Sequence, residues 1–479
     1  MTTQQESFIN DYLKHLINGD AAIFAGAGLS VGAGYVDWRG LLREIAQDLD
    51  LEIDKESDLI SLAQFHVNER GGRGRLNQKI IEEFTEKAEL TENHKILARL
   101  PIRTFWTTNY DSLLEDSLEE SAKRVDVKHT PSQLANPLYK REAVVYKMHG
   151  DAKHPQHAIL TKDDYEQYHR KHEGFITTLS SDLISKTFLF LGFSFTDPNL
   201  DYVLSRVKLF LDSNSRPHYC IIRKVNRRDF KDDAEHDYAT RRQSLMISDL
   251  KRFQIQTVAV EEYSEITDIL LEIEKRFKQN TVFISGSAAD YTPYTEQESL
   301  EFVHSLSKDL IKQKYSVVNG FGLGIGSAVI NGALEAIYSS PKKYNEDQLI
   351  MRPFPQVKTG SKDLPELWHE YRQRMISFAG ISIFVFGNKI DRSSGNIVLA
   401  DGVKKEFDIA ISQGVLPIAV GVTGSVSHNL WEEVKNNFDT YYPSLRNIEP
   451  YYLSLGDPTK TLKDHIKTVL EIIKIINGK

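Results

Sequence analysis

Short apolar runs bounded by glycine alternate with helical patterns along almost the whole of this 479-residue chain. An apolar run of strand length that alternates with helices is typical of a strand buried on both faces of a parallel sheet. The alternation therefore predicts an α/β fold in which helices cover a parallel sheet. In the first half of the chain the predicted strands are 21–25, 104–108, 144–148, 187–191 and 218–222.

The alternation restarts after a polar stretch at 276–280, which predicts two domains, 1–279 and 280–479. We expect each domain to be a Rossmann-like doubly wound parallel sheet, whose ligands bind at the carboxyl ends of the strands. The helical pattern of 41–100 predicts a helical insertion in the first domain. In the second domain the predicted strands are 281–285, 315–319, 348–352, 381–386 and 415–420, and the predicted helices are 296–312, 327–338, 364–378 and 403–412.

The composition excludes several classes of protein. With 59 basic and 67 acidic residues, the formal charge is −8, so the chain lacks the basic surface of a nucleic-acid binder. The most apolar stretches are far shorter than the roughly 20 residues that cross a bilayer, and no secretory signal is visible. Cys220 is the single cysteine, so neither an intrachain disulfide nor a zinc site of several thiolates is possible. We expect a cytoplasmic protein with no membrane or nucleic-acid partner and no metal.

A glycine turn follows the first predicted strand in the segment AAIFAGAGLSVGAGYVDWRG. Glycines between a strand and a helix allow backbone N–H groups to approach a pyrophosphate, and the helix dipole favours the negative charge. The same glycines also suit a tight strand-to-helix turn with no ligand. The candidate residues of this turn are Gly26, Ala27, Gly28 and Ser30.

Polar side chains follow the next two predicted strands of the first domain. TTNYD contains Asn109 and Asp111, and KMHGD contains His149. Because the carboxyl ends of parallel strands share one edge, these side chains are expected to converge with the glycine turn. One strand-end histidine is more often structural than catalytic, but three aligned strand ends favour chemistry at the ribose of a dinucleotide.

These three motifs resemble those of the sirtuin family. GAGLSVGAGYVDWR is similar to the sirtuin signature GAG-I-S-x-x-S-G-I-P-D-F-R, TTNYD stands where sirtuins have Q-N-I-D, and His149-Gly150 stands where they have the catalytic His-Gly. LGFSFTDPNL, residues 191–200, resembles the matching segment of prokaryotic sirtuin-like domains.

The sirtuin resemblance implies a bound NAD⁺ whose nicotinamide–ribose bond is cleaved. It assigns His149 as the general base and Asn109 as the residue that positions ribose hydroxyls or water. Asp111 would face the nicotinamide amide. The remaining assignments are Gly26, Ala27, Gly28 and Ser30 to the phosphates, and Asp37 and Arg39 to the loop that covers the nucleotide.

The sequence also departs from the sirtuin pattern. Sirtuin deacylases usually carry a four-cysteine zinc module beside the acyl-peptide cleft, which a chain with one cysteine cannot build. Tyr110, Trp38 and Val36 replace the usual isoleucine, phenylalanine and proline, and the helical insertion could occupy the space of a peptide. Water is therefore the expected acceptor, which predicts NAD⁺ hydrolysis to nicotinamide and ADP-ribose. The alternatives are an NAD⁺-dependent protein deacylase with a C-terminal docking module, and a non-catalytic nucleotide-binding protein.

Glycines are also concentrated at two predicted strand ends of the second domain, ISGSAAD and VVNGFGLGIGSAV. Such runs either form a nest of N–H groups around a phosphate or allow a sharp turn. Two cations and a carboxylate lie on neighbouring predicted elements, where they suit the phosphates and ribose of a nucleotide. The candidate signal-binding residues are Gly286, Ser287, Gly322, Gly324, Gly326, Arg372, Lys389 and Glu406.

The second domain resembles the SLOG family of nucleotide sensors. Of the P-G-G-x-G-T-x-x-E motif of the related phosphoribohydrolases, ADGVKKE retains only Gly402 and Glu406, which favours binding over hydrolysis. A sirtuin-like domain followed by a SLOG domain resembles the NADase effectors of Thoeris antiphage systems. That resemblance implies activation by a cyclic ADP-ribose isomer from a partner TIR-domain cyclase, assembly as a homotetramer, and depletion of cellular NAD⁺ that ends in abortive infection. It implies no cofactor beyond substrate NAD⁺.

Overall fold

A computed structural model describes residues 1–86, 88–211, 216–355, 357–391 and 393–478. The chain divides into two compact units, Met1–Glu274 (unit 1) and Lys275–Lys479 (unit 2). The division falls within a helix, Ser264–Lys278, and the predicted boundary at 279/280 lies just after that helix. Each unit is an α/β structure with its own parallel sheet, which confirms the predicted fold class.

Unit 1 contains a seven-stranded sheet whose strands are all parallel, in the spatial order β3-β4-β2-β1-β5-β6-β7. The four strands β1, β2, β4 and β5 are buried along their whole length, as expected of strands covered by helices on both faces. The strands are β1 (Ala21–Ala25), β2 (Thr104–Thr107), β3 (Val125–Lys128), β4 (Ala143–Lys147), β5 (Thr187–Leu191), β6 (His218–Arg223) and β7 (Ile255–Val260).

The strand predictions for unit 1 are confirmed to within one residue at each end, but β3 and β7 were not predicted. Both are edge strands, and each alternates between more and less buried residues instead of forming a continuous apolar run. The strand order reverses between β1 and β5, which lie side by side at the centre of the sheet. The crevice for a ligand is therefore expected at the carboxyl ends of β1 and β5.

Helices of unit 1 cover the sheet and form the predicted insertion. Within 41–100 the chain forms α4 to α7, and Gly71, in a left-handed conformation with φ of 69°, ends α5. The helices are α1 (Thr3–Asn18), α2 (Ala27–Ser30), α3 (Trp38–Leu41), α4 (Arg43–Gln47), α5 (Leu59–Arg70), α6 (Gly74–Phe84), α7 (Glu92–Arg99), α8 (Leu113–Glu120), α9 (Lys162–Lys171), α10 (Glu173–Ser185), α11 (Pro198–Leu211), α12 (Asp233–Leu250) and α13 (Ser264–Lys278).

Unit 2 contains a five-stranded parallel sheet in the order β10-β9-β8-β11-β14, and its strand order reverses between β8 and β11. The hairpin of β12 and β13 was not predicted. The strands are β8 (Thr281–Ser287), β9 (Ser316–Asn319), β10 (Leu349–Met351), β11 (Ile381–Phe386), β12 (Asn388–Ile390), β13 (Ile397–Leu399) and β14 (Leu416–Ala419).

The helices of unit 2 pack around this sheet in one continuous core. They are α14 (Glu296–Lys312), α15 (Gly326–Ser339), α16 (Leu364–Ile376), α17 (Asp401–Ser412), α18 (Ser425–Asn436), α19 (Phe438–Tyr441), α20 (Glu449–Leu453) and α21 (Leu462–Ile476). Among the residues that the structure describes, no helix combines the length and apolar character needed to cross a membrane.

Candidate active site

The turns that follow β1 and β2 meet at the carboxyl edge of the unit 1 sheet. Asn109 Nδ2 donates to Ser30 Oγ at 3.0 Å and to the Gly26 carbonyl at 3.1 Å. Ser30 Oγ in turn donates to Asp111 Oδ2 at 2.8 Å. The structure thus brings together Gly26, Ser30, Asn109 and Asp111, four of the residues predicted from the motifs.

The two glycines of the first turn are explained by close packing. The N–H groups of Gly26 and Gly28 donate to the carbonyls of Leu191 and Gly192, both at 2.9 Å. A Cβ on either glycine would lie closer than 3.0 Å to Gly192. These N–H groups therefore bind the end of β5 in this structure, and their contact with a phosphate stays a prediction. Ala27, between them, begins the short helix α2.

A lysine that was not predicted lies beneath the Asn109 turn. The Lys147 side chain is 0% exposed, and its Nζ donates to the carbonyls of Tyr110 and Asp111 at 3.1 and 2.6 Å. It also pairs with Glu115 at 2.8 Å and Asp151 at 2.5 Å. Burial alone would lower the pKa of Lys147, but the two carboxylates outweigh it and raise the pKa. A lysine in an otherwise apolar strand is the sequence signal of such a buried partner.

Burial raises the pKa of Asp111, and the nearby Lys147 ammonium opposes that shift. In the part of the chain that the structure describes, Asp37 and Arg39 make no hydrogen bond to the Asn109 turn. Asp37 caps α3 by accepting the Gly40 N–H at 2.8 Å. Arg39 donates to the carbonyls of Ile53 and Glu56, so in this structure it holds the start of the insertion together.

His149 follows β4, the neighbour of β2, and is 4% exposed. Burial lowers its pKa, and the carboxylates of Asp197 and Asp164 partly oppose that shift. The imidazole is therefore neutral at neutral pH and can accept a proton. His149 Nε2 lies 3.2 Å from Asp197 Oδ2, but the direction of approach does not give a hydrogen bond. In the described residues no hydrogen bond joins His149 to Asn109.

Several aromatic and histidine rings near His149 carry buried polar atoms without a hydrogen-bond partner among the described residues. Trp38 Nε1, His149 Nε2 and His172 Nδ1 are three such atoms. Tyr165 lies 5.6 Å from His149 and 6.1 Å from Trp38, measured between ring centroids, and Tyr168 stacks on His172 at 4.6 Å. Buried polar atoms are rarely left unpaired, so this group is suited to a polar ligand or water.

In unit 2 the predicted glycines pack against one another at the ends of β8 and β9. A Cβ on Gly322 would lie closer than 3.0 Å to the Gly286 carbonyl, and one on Gly324 would meet the Ala288 carbonyl in the same way. Gly324 also has φ of 82°, a conformation that favours glycine. Gly326 is the first residue of α15. Close approach of the two turns explains the glycines without a ligand, and their binding role stays a prediction.

Asn388, which was not predicted, fixes the turn after β8. Its Oδ1 accepts the N–H groups of Ala289 and Asp290 at 2.8 and 2.9 Å, and its Nδ2 donates to the Asp290 carbonyl at 2.8 Å. Ser287, one of the predicted residues, donates from Oγ to the Asn388 carbonyl at 3.0 Å.

The charged residues predicted for unit 2 pair with groups on α17. Arg372 Nε lies 3.3 Å from Glu406 Oε1, and Ser285 Oγ donates to Glu406 Oε2 at 2.6 Å. Burial raises the pKa of Glu406, and Ser285 and Arg372 oppose that shift. Lys389 pairs with Asp401, the first residue of α17. The structure therefore joins Arg372 to Glu406 and places Lys389 at the start of the same helix.

In the described part of the chain, no His, Cys, Asp and Glu side chains are grouped closely enough to hold a metal ion. The absence of zinc stays a prediction.

Two known protein families match this chain, one in each half. The SIR2-like domain family matches residues 103–243, and the Sir2- and TIR-associating SLOG family matches residues 265–476. The chain is thus a SIR2-like domain joined to a SLOG domain, which confirms both resemblances inferred from the motifs.

Two relatives that match nearly the whole chain carry the same name. The protein NAD(+) hydrolase ThsA of Bacillus cereus (strain MSX-D12) is 50% identical over 475 residues, which are 99% of this chain and 98% of that protein. NAD(+) hydrolase ThsA of Acinetobacter baumannii (strain 532279) is 46% identical over 99% of both chains. Defense-associated sirtuin 2 of Bacillus subtilis is 26% identical over 42% of this chain and 21% of its own. The chain belongs to the ThsA family.

Proposed function

We propose that unit 1 hydrolyses NAD⁺ to nicotinamide and ADP-ribose at the carboxyl edge of its sheet. The observation that carries the proposal is the hydrogen-bonded group of Asn109, Ser30 and Asp111, with a buried neutral His149 at the end of the next strand. Relatives that match nearly the whole chain are named NAD(+) hydrolase, which supports the same reaction.

The reaction consumes one water and releases nicotinamide, ADP-ribose and one proton. The nicotinamide–ribose bond breaks through a state with positive charge on the ribose, and water oxygen forms the new bond to the anomeric carbon. Among the described residues Asn109 Nδ2 donates two hydrogen bonds and Oδ1 accepts none, so we assign Oδ1 to accept from a water or a ribose hydroxyl. His149 takes the proton that the water or hydroxyl loses, because burial keeps its imidazole neutral.

Unit 2 is proposed to sense a cyclic ADP-ribose isomer and to switch unit 1 on. Arg372 and Lys389 are held by Glu406 and Asp401, so an anionic nucleotide must compete with these carboxylates for the cations. The signal must favour the active arrangement by about 1–3 kcal/mol or more to act as a switch. The family match of unit 2 is described as TIR-associating, which supports a TIR-domain cyclase as the source of the signal.

The name of one relative supports a biological role for this reaction. One relative is named a defence-associated sirtuin, and this supports a role in antiphage defence in which NAD⁺ depletion ends in abortive infection. A cytoplasmic homotetramer that needs no zinc and no cofactor besides its substrate is part of the same proposal.

Nicotinamide release from the full-length chain tests the proposal. NAD⁺ is incubated with the protein alone and with each member of a panel of cyclic ADP-ribose isomers. We expect strong release with one isomer, and loss of release in Asn109→Ala and His149→Ala but not in His157→Ala, a nearby exposed histidine. Equal release with and without every isomer contradicts the switch, and intact NAD⁺ in every arm contradicts the enzyme. An acetyl-lysine peptide is added in a further arm. Formation of O-acetyl-ADP-ribose there would support the deacylase alternative instead.

A further inference from the structure

The loop between β5 and α11 crosses the carboxyl edge of the unit 1 sheet. It starts at Gly192, which packs on the glycine turn after β1, and it ends at Asp197, which reaches His149 after β4. In the order β4-β2-β1-β5 these two points are three strand spacings apart, or about 14 Å. The loop therefore connects the glycine turn after β1 with the histidine after β4, two strand ends that flank the end of β2 in the sheet.

Each carboxylate oxygen of Asp197 has a separate contact. Oδ1 accepts the Leu200 N–H at 3.0 Å in the first turn of α11. Oδ2 accepts the Tyr165 hydroxyl at 3.2 Å and lies 3.2 Å from His149 Nε2. One oxygen therefore holds the start of a helix, and the other faces the imidazole. The Asp197 side chain is 9% exposed, so water screens this second contact weakly.

The groups around His149 differ in how far their charges are compensated. Asp164, on α9, is bound by Arg73 with both carboxylate oxygens at 2.8 Å, so its charge is largely neutralised. Tyr165 and Tyr168, from α9, contact the imidazole with their rings. His172 stacks on the Tyr168 ring, and burial lowers its pKa to about 4, so it carries no positive charge at neutral pH.

Asp197 pairs with no lysine or arginine among the described residues. It is therefore the uncompensated negative charge nearest to the imidazole, and a positive charge that forms on His149 is stabilised by it.

We propose that Asp197 is a positioning residue for NAD⁺ hydrolysis: it orients His149 and stabilises the imidazolium that forms when His149 accepts a proton. This inference rests on the proposed function of unit 1. The geometry, close but not aligned, agrees with a contact that becomes a hydrogen bond once His149 carries a proton.

Asp197→Asn separates this role from the structural one. Asparagine caps a helix about as well as aspartate, so the contact with Leu200 is retained while the charge is lost. Asp197→Ala removes both, and Asp201→Asn removes an exposed charge from the same helix start. Nicotinamide release by full-length variants is followed from pH 5.5 to 9 with NAD⁺ and the isomer that activates the wild type, and thermal unfolding is recorded beside it.

We expect kcat of Asp197→Asn to fall about 10- to 100-fold, with KM for NAD⁺ and the unfolding temperature little changed. Asp197 raises the pKa of His149 against the effect of burial, so its neutralisation lowers that pKa. The rise of kcat/KM with pH, which requires a neutral imidazole, then moves to lower pH. Asp201→Asn is expected to match the wild type, and Asp197→Ala to lose both activity and thermal stability.

Three outcomes would overturn the inference. Wild-type kcat and pH profile in Asp197→Asn would show that the charge has no role. If Asp197→Asn unfolds at as low a temperature as Asp197→Ala and its pH profile is not shifted, Asp197 acts only as a helix cap. A wild-type chain that releases no nicotinamide, or a His149→Ala variant that still does, removes the proposed function and this inference with it.

Discussion

Each unit has a glycine-rich turn at the carboxyl end of a strand in its own parallel sheet. In unit 1 the strand order reverses between β1 and β5, and in unit 2 it reverses between β8 and β11. In both turns glycine is required because a neighbouring segment of backbone approaches too closely for a Cβ. The turns at Gly28 and Gly322 are thus equivalent in packing, although they follow β1 in one unit and β9 in the other.

The side chains at the two edges differ in charge. Unit 1 presents an amide, Asn109, and a neutral imidazole, His149, whose nearest uncompensated charge is a carboxylate. Unit 2 presents two cations, Arg372 and Lys389, each already paired with a carboxylate. Under the proposed functions, the same kind of fold supports proton transfer in unit 1 and anion binding in unit 2, and the side chains placed on it make the difference. The predictions below test this difference.

The largest effect is expected from Lys147→Met, which should destabilise unit 1 by about 3–5 kcal/mol. The substitution leaves the buried carboxylates of Glu115 and Asp151 without their shared cation. It also removes two hydrogen bonds to the Asn109 turn, so NAD⁺ hydrolysis should fall as well. Pulse proteolysis in urea with mass spectrometry reports on each unit separately, and unit 2 should be unchanged.

Lys153→Met, an exposed lysine after the same strand, is the control and should cost less than about 0.5 kcal/mol. Adding Glu115→Met to Lys147→Met should restore part of the stability, because one of the uncompensated charges is removed. Equal stability of Lys147→Met and the wild type would show that the buried cation does not hold the Asn109 turn.

The second prediction compares the glycine turns directly. Gly322→Ala places a Cβ well inside 3.0 Å of the Gly286 carbonyl, whereas the Cβ of Gly28→Ala lies 2.9 Å from Gly192 Cα. Both should destabilise their own unit, by about 1–3 kcal/mol, and the first should do so more. Gly72→Ala is the control, since a Cβ there meets nothing within 4 Å.

Unfolding of these variants is followed by the same unit-resolved proteolysis. A larger loss in Gly28→Ala than in Gly322→Ala would contradict the packing explanation.

The third prediction concerns acid pH, which should destabilise unit 1 more than unit 2. Burial lowers the pKa of His94 to about 4 and that of His218 to about 3. Among the described residues, unit 1 also holds His129, His149 and His172 with lowered pKa values, against His465 in unit 2.

A folded-state pKa below the unfolded value means that the unfolded chain binds more protons, so stability is complete above pH 6.5 and is lost as the pH falls. At pH 5.5, His94 and His218 should each remove about 1.4 kcal/mol from unit 1. Calorimetry at pH 7.5 and 5.5 checks this, with the transitions assigned by proteolysis. A larger acid shift in unit 2 would contradict it. In His218→Asn the acid loss of unit 1 should be smaller.

In unit 1 the sequence predicts the centre of the sheet better than its edges, whereas in unit 2 the edge strands β10 and β14 were predicted as well. Strands buried on both faces consist of continuous apolar runs, and those runs were identified in both units. The edge strands β3 and β7 alternate in burial and contain charged or polar residues, so they were missed. The hairpin of β12 and β13 is short, and its β13 strand is exposed along its length, so the sequence offers little periodicity to detect.

The same limit applies to the sites. The motifs after β1 and β2 predict that Ser30, Asn109 and Asp111 meet, because parallel strand ends share an edge. They do not predict Lys147 or Asp197 as partners. Lys147 is a partner because its side chain is buried at the end of β4. Asp197 is a partner because the loop after β5 brings it to His149. The Lys147–Glu115 and His149–Asp197 contacts join segments that are distant in sequence, so the strand-end motifs do not identify these partners.

The smallest effect is expected at the exposed pair of Lys389 and Asp401 in unit 2. Both side chains are partly exposed, so the pair contributes little to stability, and either variant should leave the unfolding midpoint nearly unchanged. Its effect should appear in ligand binding. If Asp401 competes with the phosphates of the signal for Lys389, Asp401→Asn should bind the activating cyclic ADP-ribose isomer a few-fold more tightly, and Lys389→Ala should bind it more weakly.

Calorimetric titration of the full-length variants measures these affinities, and the increase for Asp401→Asn should diminish at high salt because exposed charges are screened. Asp439→Asn removes an exposed acidic charge elsewhere in unit 2 and serves as the control for net charge. Identical affinities of Asp401→Asn, Asp439→Asn and the wild type would show that Asp401 does not compete with the signal for Lys389. The charge difference between the two sheet edges would then describe the resting structure alone and would not explain how unit 2 recognises an anion.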